Sequence, residues 1–200
     1  MELKYSPTSP FVRKVLVVAH EIGVADRITL TPVNLRDDAQ VLARLNPLVK
    51  IPVLVTDDGA VIYGSAVICE YLDVSYGGQR FVPAQGAQRW QVLTRVALAD
   101  GMLDAAILVR VERMRALERQ SAEWIDRQMR KIEGALDAFE QSIPPRDKPL
   151  DMADIALGCA LGYMPLRLPE LEAYPKWPAL RELYARLCER ASFARTMPTA

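Results

Sequence analysis

Histidine occurs once in this 200-residue chain, at His20, and cysteine three times. A single imidazole with only the adjacent Glu21 as an acidic neighbour supplies neither a histidine-based triad nor a zinc site, since both need partners at defined spacing. Cys69, Cys159 and Cys188 are far apart, odd in number and set among Ile, Leu or Ala, so they are expected to be buried structural thiols, without disulfides or metal. An excess of one charge is also missing. Lys plus Arg and Asp plus Glu each number 25, and a formal charge of zero offers no global attraction to nucleic acid or to an anionic membrane. No apolar run approaches membrane-spanning length, and the opening Met-Glu-Leu-Lys-Tyr lacks the basic-then-apolar pattern of an export signal. The expectation is a cytoplasmic protein with no nucleic-acid or membrane partner and no permanently bound cofactor.

What is present is well-placed punctuation. Leu3 to Tyr5 has the pattern of a short strand. Pro10 to Ile22 carries Phe11, Val15, Val18, Ala19 and Ile22 at helical spacing before Gly23 stops it. Ser9 stands at the N-cap of that helix, where its oxygen can accept from an early N–H. Pro10 follows at the first helical position, where its missing donor costs nothing. Arg27 to Leu35 reads as a second strand, parallel to the first, with Ile28, Leu30 and Val33 as its apolar positions. A short helix over Asp37 to Leu45 comes next. Val53-Leu54-Val55 and Ala60 to Tyr63, joined through Thr56-Asp57-Asp58-Gly59, form a hairpin. Ser65 then caps a helix whose inward residues are Val67, Ile68, Tyr71 and Leu72, ended by Gly77-Gly78.

This order, βαβ-α-ββα, makes residues 1–78 an α/β domain. Residues 79–86, with Pro83 and Gly86, read as a linker. From 87 to 200 the periodicity is entirely helical: one long helix from Ala87 to about Met114 with a bend expected near Gly101, a second from Ser121 to Ile143, a third opening at Asp151, and a last from Pro178 to Glu189. Asp151 and Asp154 are an acidic capping box, with Leu150 and Ile155 placed as a hydrophobic staple.

A thioredoxin-like domain followed by an all-helical bundle resembles the glutathione S-transferase superfamily, and four segments carry the likeness. Ser9-Pro10-Phe11 stands where related folds place a Cys-Pro-aromatic helix start. Asn46-Pro47-Leu48-Val49-Lys50-Ile51-Pro52-Val53-Leu54 resembles the family's Asn-Pro-x-x-x-x-Pro-x-Leu segment. Gly64-Ser65-Ala66-Val67-Ile68-Cys69-Glu70-Tyr71-Leu72 is similar to its Glu/Asp-Ser helix start, and Asp151 to Asp154 to its second-domain capping box. Small bacterial members are the nearest in character.

The resemblance implies glutathione as co-substrate and a homodimer. It implies a cis Ile51-Pro52 bond, with the Ile51 backbone pairing the cysteinyl part of glutathione as a short added strand. Ser65 would take the γ-glutamyl carboxylate at a helix N-terminus. Phe11 would belong to the same glutathione site, and Lys50 would pair the glycyl carboxylate. Position 64, however, is glycine where the family usually carries an acid for the γ-glutamyl ammonium. The partner subunit's Asp100, and less strongly Asp104, are the expected substitutes; both otherwise read as polar positions of an amphipathic helix.

Ser9 is the expected activator of the thiol, with Tyr5 as the competing hydroxyl. A free thiol has a pKa of ~8.5, and a hydroxyl hydrogen bond at a helix N-terminus could lower it by about two units. Thiolate would rise roughly 25-fold while intrinsic nucleophilicity falls about eightfold, a net gain of only about threefold. Most acceleration therefore has to come from holding the electrophile near sulfur. Met102, Ala106, Arg110 and Met114 are the expected pocket residues for it. A serine rather than a cysteine at position 9 also rules out a mixed disulfide there. The expected function is transfer of glutathione to a small hydrophobic electrophile, with glutathione peroxidase activity as an accessory. The alternative is a non-catalytic glutathione-binding or regulatory protein.

Overall fold

The structure, a computed structural model, describes residues 1–171 and 176–198. It forms two compact units, one of Met1–Arg89 together with the segment from Arg190 onward, the other of Trp90–Glu189.

The first unit is built on four strands, β1 (Glu2–Tyr5), β2 (Thr29–Pro32), β3 (Val53–Val55) and β4 (Val61–Tyr63), in the order β2-β1-β3-β4. β1 and β2 are parallel; the β1–β3 and β3–β4 pairs are antiparallel. The connections are α1 (Pro10–Glu21), α2 (Ala39–Leu45) and α3 (Ser65–Tyr76), the order expected from the sequence. α1 packs on α3, and Leu3, Leu54, Val15, Val18, Ile68 and Leu72 are fully excluded from solvent. Each such side chain stabilises the unit by about 1.5–3 kcal/mol.

Asp73 ties the chain leaving α3 back onto that helix. Its carboxylate, only 1% exposed, accepts from the backbone N–H groups of Arg80, Phe81 and Val82 at 2.9, 2.9 and 3.0 Å. The expected linker is thus held by hydrogen bonds rather than merely spanned.

Three details differ from expectation. β2 is only Thr29–Pro32, the edge strand of the sheet, and its Leu30 is 42% exposed rather than buried. The cap of α3 is Gly64, at φ 85°, and Ser65 is the first helical residue; Val67 points outward. The chain from Arg190 onward belongs to the α/β unit rather than to the helical one, and it contains an unexpected short helix, α8 (Ala191–Arg195). The tail is held by Glu21 at the end of α1. This carboxylate accepts from Arg190 at 2.7 and 2.8 Å, from the Ser192 hydroxyl at 2.6 Å and from Arg80 at 3.1 Å.

The second unit comprises α4 (Ala87–Arg113) from Trp90 onward, α5 (Ala122–Glu140), α6 (Met152–Arg167) and α7 (Pro178–Cys188). α4 is one continuous helix through Gly101. α6 is buried almost all round from Met152 to Leu161, which makes it the central helix of the unit. The expected capping box is formed: Asp154 N–H donates to Asp151 at 3.0 Å and Asp151 N–H donates to Asp154 at 3.3 Å. α7 is capped from another helix, with Glu140 of α5 accepting from the N–H groups of Ala179 and Leu180, both at 2.9 Å. Cys69 and Cys159 are buried as expected, whereas Cys188 is only partly so. Among the described residues no helix is long and apolar enough to cross a membrane.

Burial raises the Glu21 pKa, but the hydrogen bonds from Arg190 and Ser192 and the charges of Arg190 and Arg80 lower it more, leaving it below the ordinary glutamate value. A depressed carboxyl contributes stability that is complete above its unfolded value of ~4.3 and is lost as pH falls through the lower folded value. Glu21→Gln should lower unfolding stability at pH 7 by about 1–2 kcal/mol and flatten the acid limb of the pH–stability curve. Urea titrations from neutral to acid pH check this; an unchanged acid limb would mean that the tail anchor titrates elsewhere.

Candidate active site

Strand register decides which loops meet. Lys4 lies opposite Val53, and Val53 lies opposite Tyr63. The C-terminal end of β1, the start of β3 and the end of β4 therefore share one end of the sheet. From β1 the chain runs through Ser6, Pro7 and Thr8 into α1. Into β3 it arrives through Ile51-Pro52, and from β4 it turns at Gly64 into α3. Two helix N-termini and one extended bend are brought to the same place, so partial positive charge and free N–H groups collect there.

At α1 the Ser9 hydroxyl accepts from Val12 N–H at 3.3 Å, and Ser9 C=O accepts from Arg13 N–H at 3.0 Å. Accepting with its oxygen leaves the Ser9 proton available to donate, and among the described residues it has no acceptor. Tyr5 ends β1, half-buried. Both hydroxyl residues border a cavity of about 190 Å³. Phe11 is half-buried in the first turn, with the Lys14 ammonium 5.9 Å from its ring centre.

The Ile51-Pro52 peptide is cis. Among the described residues neither the N–H nor the C=O of Ile51 has a partner, which leaves a short strand edge open next to β3. Asn46 braces the approach to it. Only 2% exposed, it donates through its amide to Lys50 C=O at 2.8 Å and accepts from Leu48 N–H at 3.0 Å. The brace forces Val49 to φ 53°, left-handed backbone that a β-branched residue rarely adopts. Lys50 itself is exposed.

At α3 Ser65 is only 7% exposed, and among the described residues its hydroxyl and the N–H groups of Ser65, Ala66 and Val67 have no partners. Such a terminus suits a carboxylate. Gly64 offers no acid, and its backbone explains part of that choice. A Cβ there meets only Val67 Cγ2 at 3.7 Å, but φ is +85°, which L side chains avoid.

Two helix N-termini and an open strand edge at the cis Ile51-Pro52 bond thus lie at one end of the sheet. Residues 8–75 match the glutathione S-transferase N-terminal domain and residues 122–186 its C-terminal domain. The uncharacterized GST-like protein YibF of Escherichia coli (strain K12) is 34% identical over 99% of this chain and 98% of its own length.

The chain belongs to the glutathione S-transferase family.

A glutathione transferase family member from Pseudomonas fluorescens Pf-5, solved with bound glutathione, is 41% identical, with a TM-score of 0.94 over 100% of this chain and 99% of that one. A structure from the same organism with bound S-(propanoic acid)-glutathione is 40% identical, with a TM-score of 0.90 over 100% of both chains.

The remaining family residues expected from the sequence lie on α4. Met102 and Ala106 are 1% and 0% exposed, whereas Arg110 and Met114 are exposed, the latter at the helix end. Steps of four residues drift around a 3.6-residue helix, so the series leaves the core and reaches the surface rather than lining one face. Asp100 is half-buried and Asp104 exposed, about one turn apart. Sequence reasoning missed the Asn46 brace, the left-handed Val49 and the approach of Arg195, Thr196 and Met197 to Ser9. Asn46 lies within the Asn-Pro motif, and its position before a proline-bounded loop is the available signal. Nothing local announces a contact between residues 9 and 195.

Val49→Gly should raise unfolding stability by about 1 kcal/mol, the relief of left-handed strain less the entropy glycine loses on folding. Urea midpoints of the two proteins check it; a destabilised variant would show that the Val49 side chain contributes more than its backbone costs.

Proposed function

We propose that this protein is a glutathione transferase in which Ser9 activates the glutathione thiol for attack on a small hydrophobic electrophile. The observation that supports this best is the Ser9 hydroxyl, which accepts from Val12 N–H and keeps its proton for a thiolate. Glutathione lies along the Ile51-Pro52 edge. Its cysteinyl part pairs with the Ile51 backbone, its γ-glutamyl carboxylate meets Ser65 and the first N–H groups of α3, and its glycyl carboxylate meets exposed Lys50. The sulfur sits near Ser9, beside Phe11. Tyr5 borders the same cavity and is the second hydroxyl in reach of it. The glutathione and S-(propanoic acid)-glutathione bound by the two Pseudomonas fluorescens relatives support this ligand.

The chemistry is substitution at carbon. The sulfur electron pair forms the new S–C bond, the leaving group departs with its own pair, and the thiol proton passes to solvent. On α4, Arg110 and Met114 are the residues with exposed side chains to offer an electrophile, whereas Met102 and Ala106 are buried. Peroxide reduction by the same thiolate is the accessory activity. The working form is a cytoplasmic homodimer, in which the partner subunit's Asp100, and secondarily the partner subunit's Asp104, receive the γ-glutamyl ammonium.

A second reading rests on Gly64. Without an acid at that position the ammonium loses a charge partner whose absence is costly in a desolvated site. A protein that binds glutathione weakly and carries or senses it, without turnover, fits that loss.

Two measurements separate the readings. Ser9→Ala should lower kcat/KM for a generic aryl halide about three- to tenfold and raise the pKa of bound glutathione, read from thiolate absorbance, by about one unit. Glutathione affinity by calorimetry should barely change, and an unaltered rate would remove Ser9 as activator. Gly64→Glu should tighten glutathione binding about fivefold while lowering unfolding stability by about 1 kcal/mol. If binding stays as it was, the ammonium already has a carboxylate partner and the weakened-binder reading falls.

A further inference from the structure

At the end of α1 remote from Ser9, the α/β unit has a second cavity, of about 340 Å³, lined by His20, Glu21, Arg190, Ala191, Ser192 and Arg195. The helix rise between residues 9 and 20 is roughly 16 Å, so this is a separate site, although Arg195 borders both cavities.

Its single acid is already committed. The Glu21 side chain is 8% exposed, and each of its oxygens accepts two hydrogen bonds: one from Arg190 Nε at 2.8 Å and the Ser192 hydroxyl at 2.6 Å, the other from Arg190 Nη2 at 2.7 Å and Arg80 at 3.1 Å. A carboxylate has about four lone-pair sites, and these four bonds fill them. Two guanidiniums face this one negative charge, so positive charge is in excess before Arg195 is counted.

Donors remain on three lining residues. A guanidinium carries five N–H groups, and Arg190 spends only its Nε edge on Glu21. Its Nη1 has no partner among the described residues, and the side chain is 43% exposed. Arg195 is exposed and, among the described residues, has no hydrogen-bond or ion-pair partner. His20, the sole histidine of the chain, is half-buried, and among the described residues neither of its ring nitrogens has a partner. A bare helix C-terminus would repel an anion, but this one is covered. The carbonyls of Val18, Ala19 and His20 accept from the N–H groups of Ile22, Val24 and Gly23 at 3.1, 2.9 and 3.2 Å.

The geometry of the donors narrows the ligand. One guanidinium fork is enough for a carboxylate, which is planar. A phosphate group presents three acceptor oxygens in different directions and up to two negative charges, which suits donors arriving from three residues on two segments. The volume equals about eleven waters at ~30 Å³ each, room for a phosphate and part of the group that carries it. We infer that this cavity binds the phosphate of a small phosphate monoester, with Arg195 and the free edge of Arg190 on its oxygens and His20 beside them. The site uses none of Ser9, Ile51 or Ser65, and so stands apart from the glutathione reading.

The test follows His20 in the full chain by proton NMR, since a sole histidine gives one pair of imidazole C–H signals. Inorganic phosphate, glycerol 3-phosphate and acetate are titrated, at constant pH and ionic strength, into the native protein, Arg195→Gln and Ala191→Glu. Both phosphates should move the His20 signals of the native protein to saturation, and acetate should act about tenfold more weakly. Arg195→Gln should weaken phosphate binding about five- to tenfold, the loss of one charge-assisted contact. Ala191→Glu, which sets a carboxylate at an exposed lining position, should abolish it. Dispersed methyl signals in the same spectra show that each variant is folded. The inference is overturned by the lack of a saturating shift in the native protein, by an equal response to acetate, or by phosphate affinity unchanged in both folded variants. Saturation by inorganic phosphate with the ester excluded marks an adventitious ion only, and overturns it as well.

Discussion

The pairing of β3 between β1 and β4 is the constraint from which the site follows. Because Lys4, Val53 and Tyr63 stand side by side, the loops that leave β1 and β4 and the loop that enters β3 must open at one end of the sheet. Strand pairing has a strict two-residue period, and a slip of one position would turn Leu3 and Leu54 out of the core. The same hydrophobic burial that fixes the register thereby fixes the convergence of Ser9, Ile51 and Ser65. No loop has to fold toward a ligand of its own accord; the sheet delivers all three.

Around that frame the structure holds its irregular segments with buried polar anchors. Asn46 shapes the approach to Pro52, Asp73 secures the exit from α3, and Glu21 gathers the tail. Each satisfies several donors or acceptors at once, which is why each can be buried without a net penalty. The anchors also bear on function. Asn46 sets the backbone that offers Ile51, while Glu21 and Arg13 bring residues 190–197 over the first turn of α1. The tail lies some 180 residues from that helix in sequence, yet Arg195, Thr196 and Met197 line one cavity with Ser9.

Gly64 shows two demands pulling against each other. The turn into α3 needs φ near +85°, which glycine adopts freely, and on the proposed reading the ammonium of glutathione would call for an acid, which glycine cannot supply. Val49 has the opposite solution, a bulky residue held in left-handed backbone by its neighbours. Strain is tolerated at 49 and relieved at 64. On the proposed reading, whether another carboxylate stands in for the one missing at 64 is what divides an active transferase from a weak binder.

Much was written into the chain locally. The Ser9-Pro10 helix start, the Asp57-Asp58-Gly59 hairpin turn, the Asp151–Asp154 capping box and the order of strands and helices follow from propensities and periodicity acting over a few residues, and so they were legible. The Asn46–Leu54 and Gly64–Leu72 segments were legible as family motifs. What proximity along the chain could not carry was the rest: that Gly64 rather than Ser65 caps α3, that β2 stops at Pro32 with Leu30 uncovered, that Met102 and Ala106 face inward while Arg110 and Met114 face out, and that the tail joins the α/β unit. The sequence by itself determined most of the elements that form and the family they resemble. The tertiary structure alone decided which of them share a surface, because burial and ion pairing between residues such as Glu21 and Arg190 depend on distance in space, and pattern along a chain encodes only distance along it.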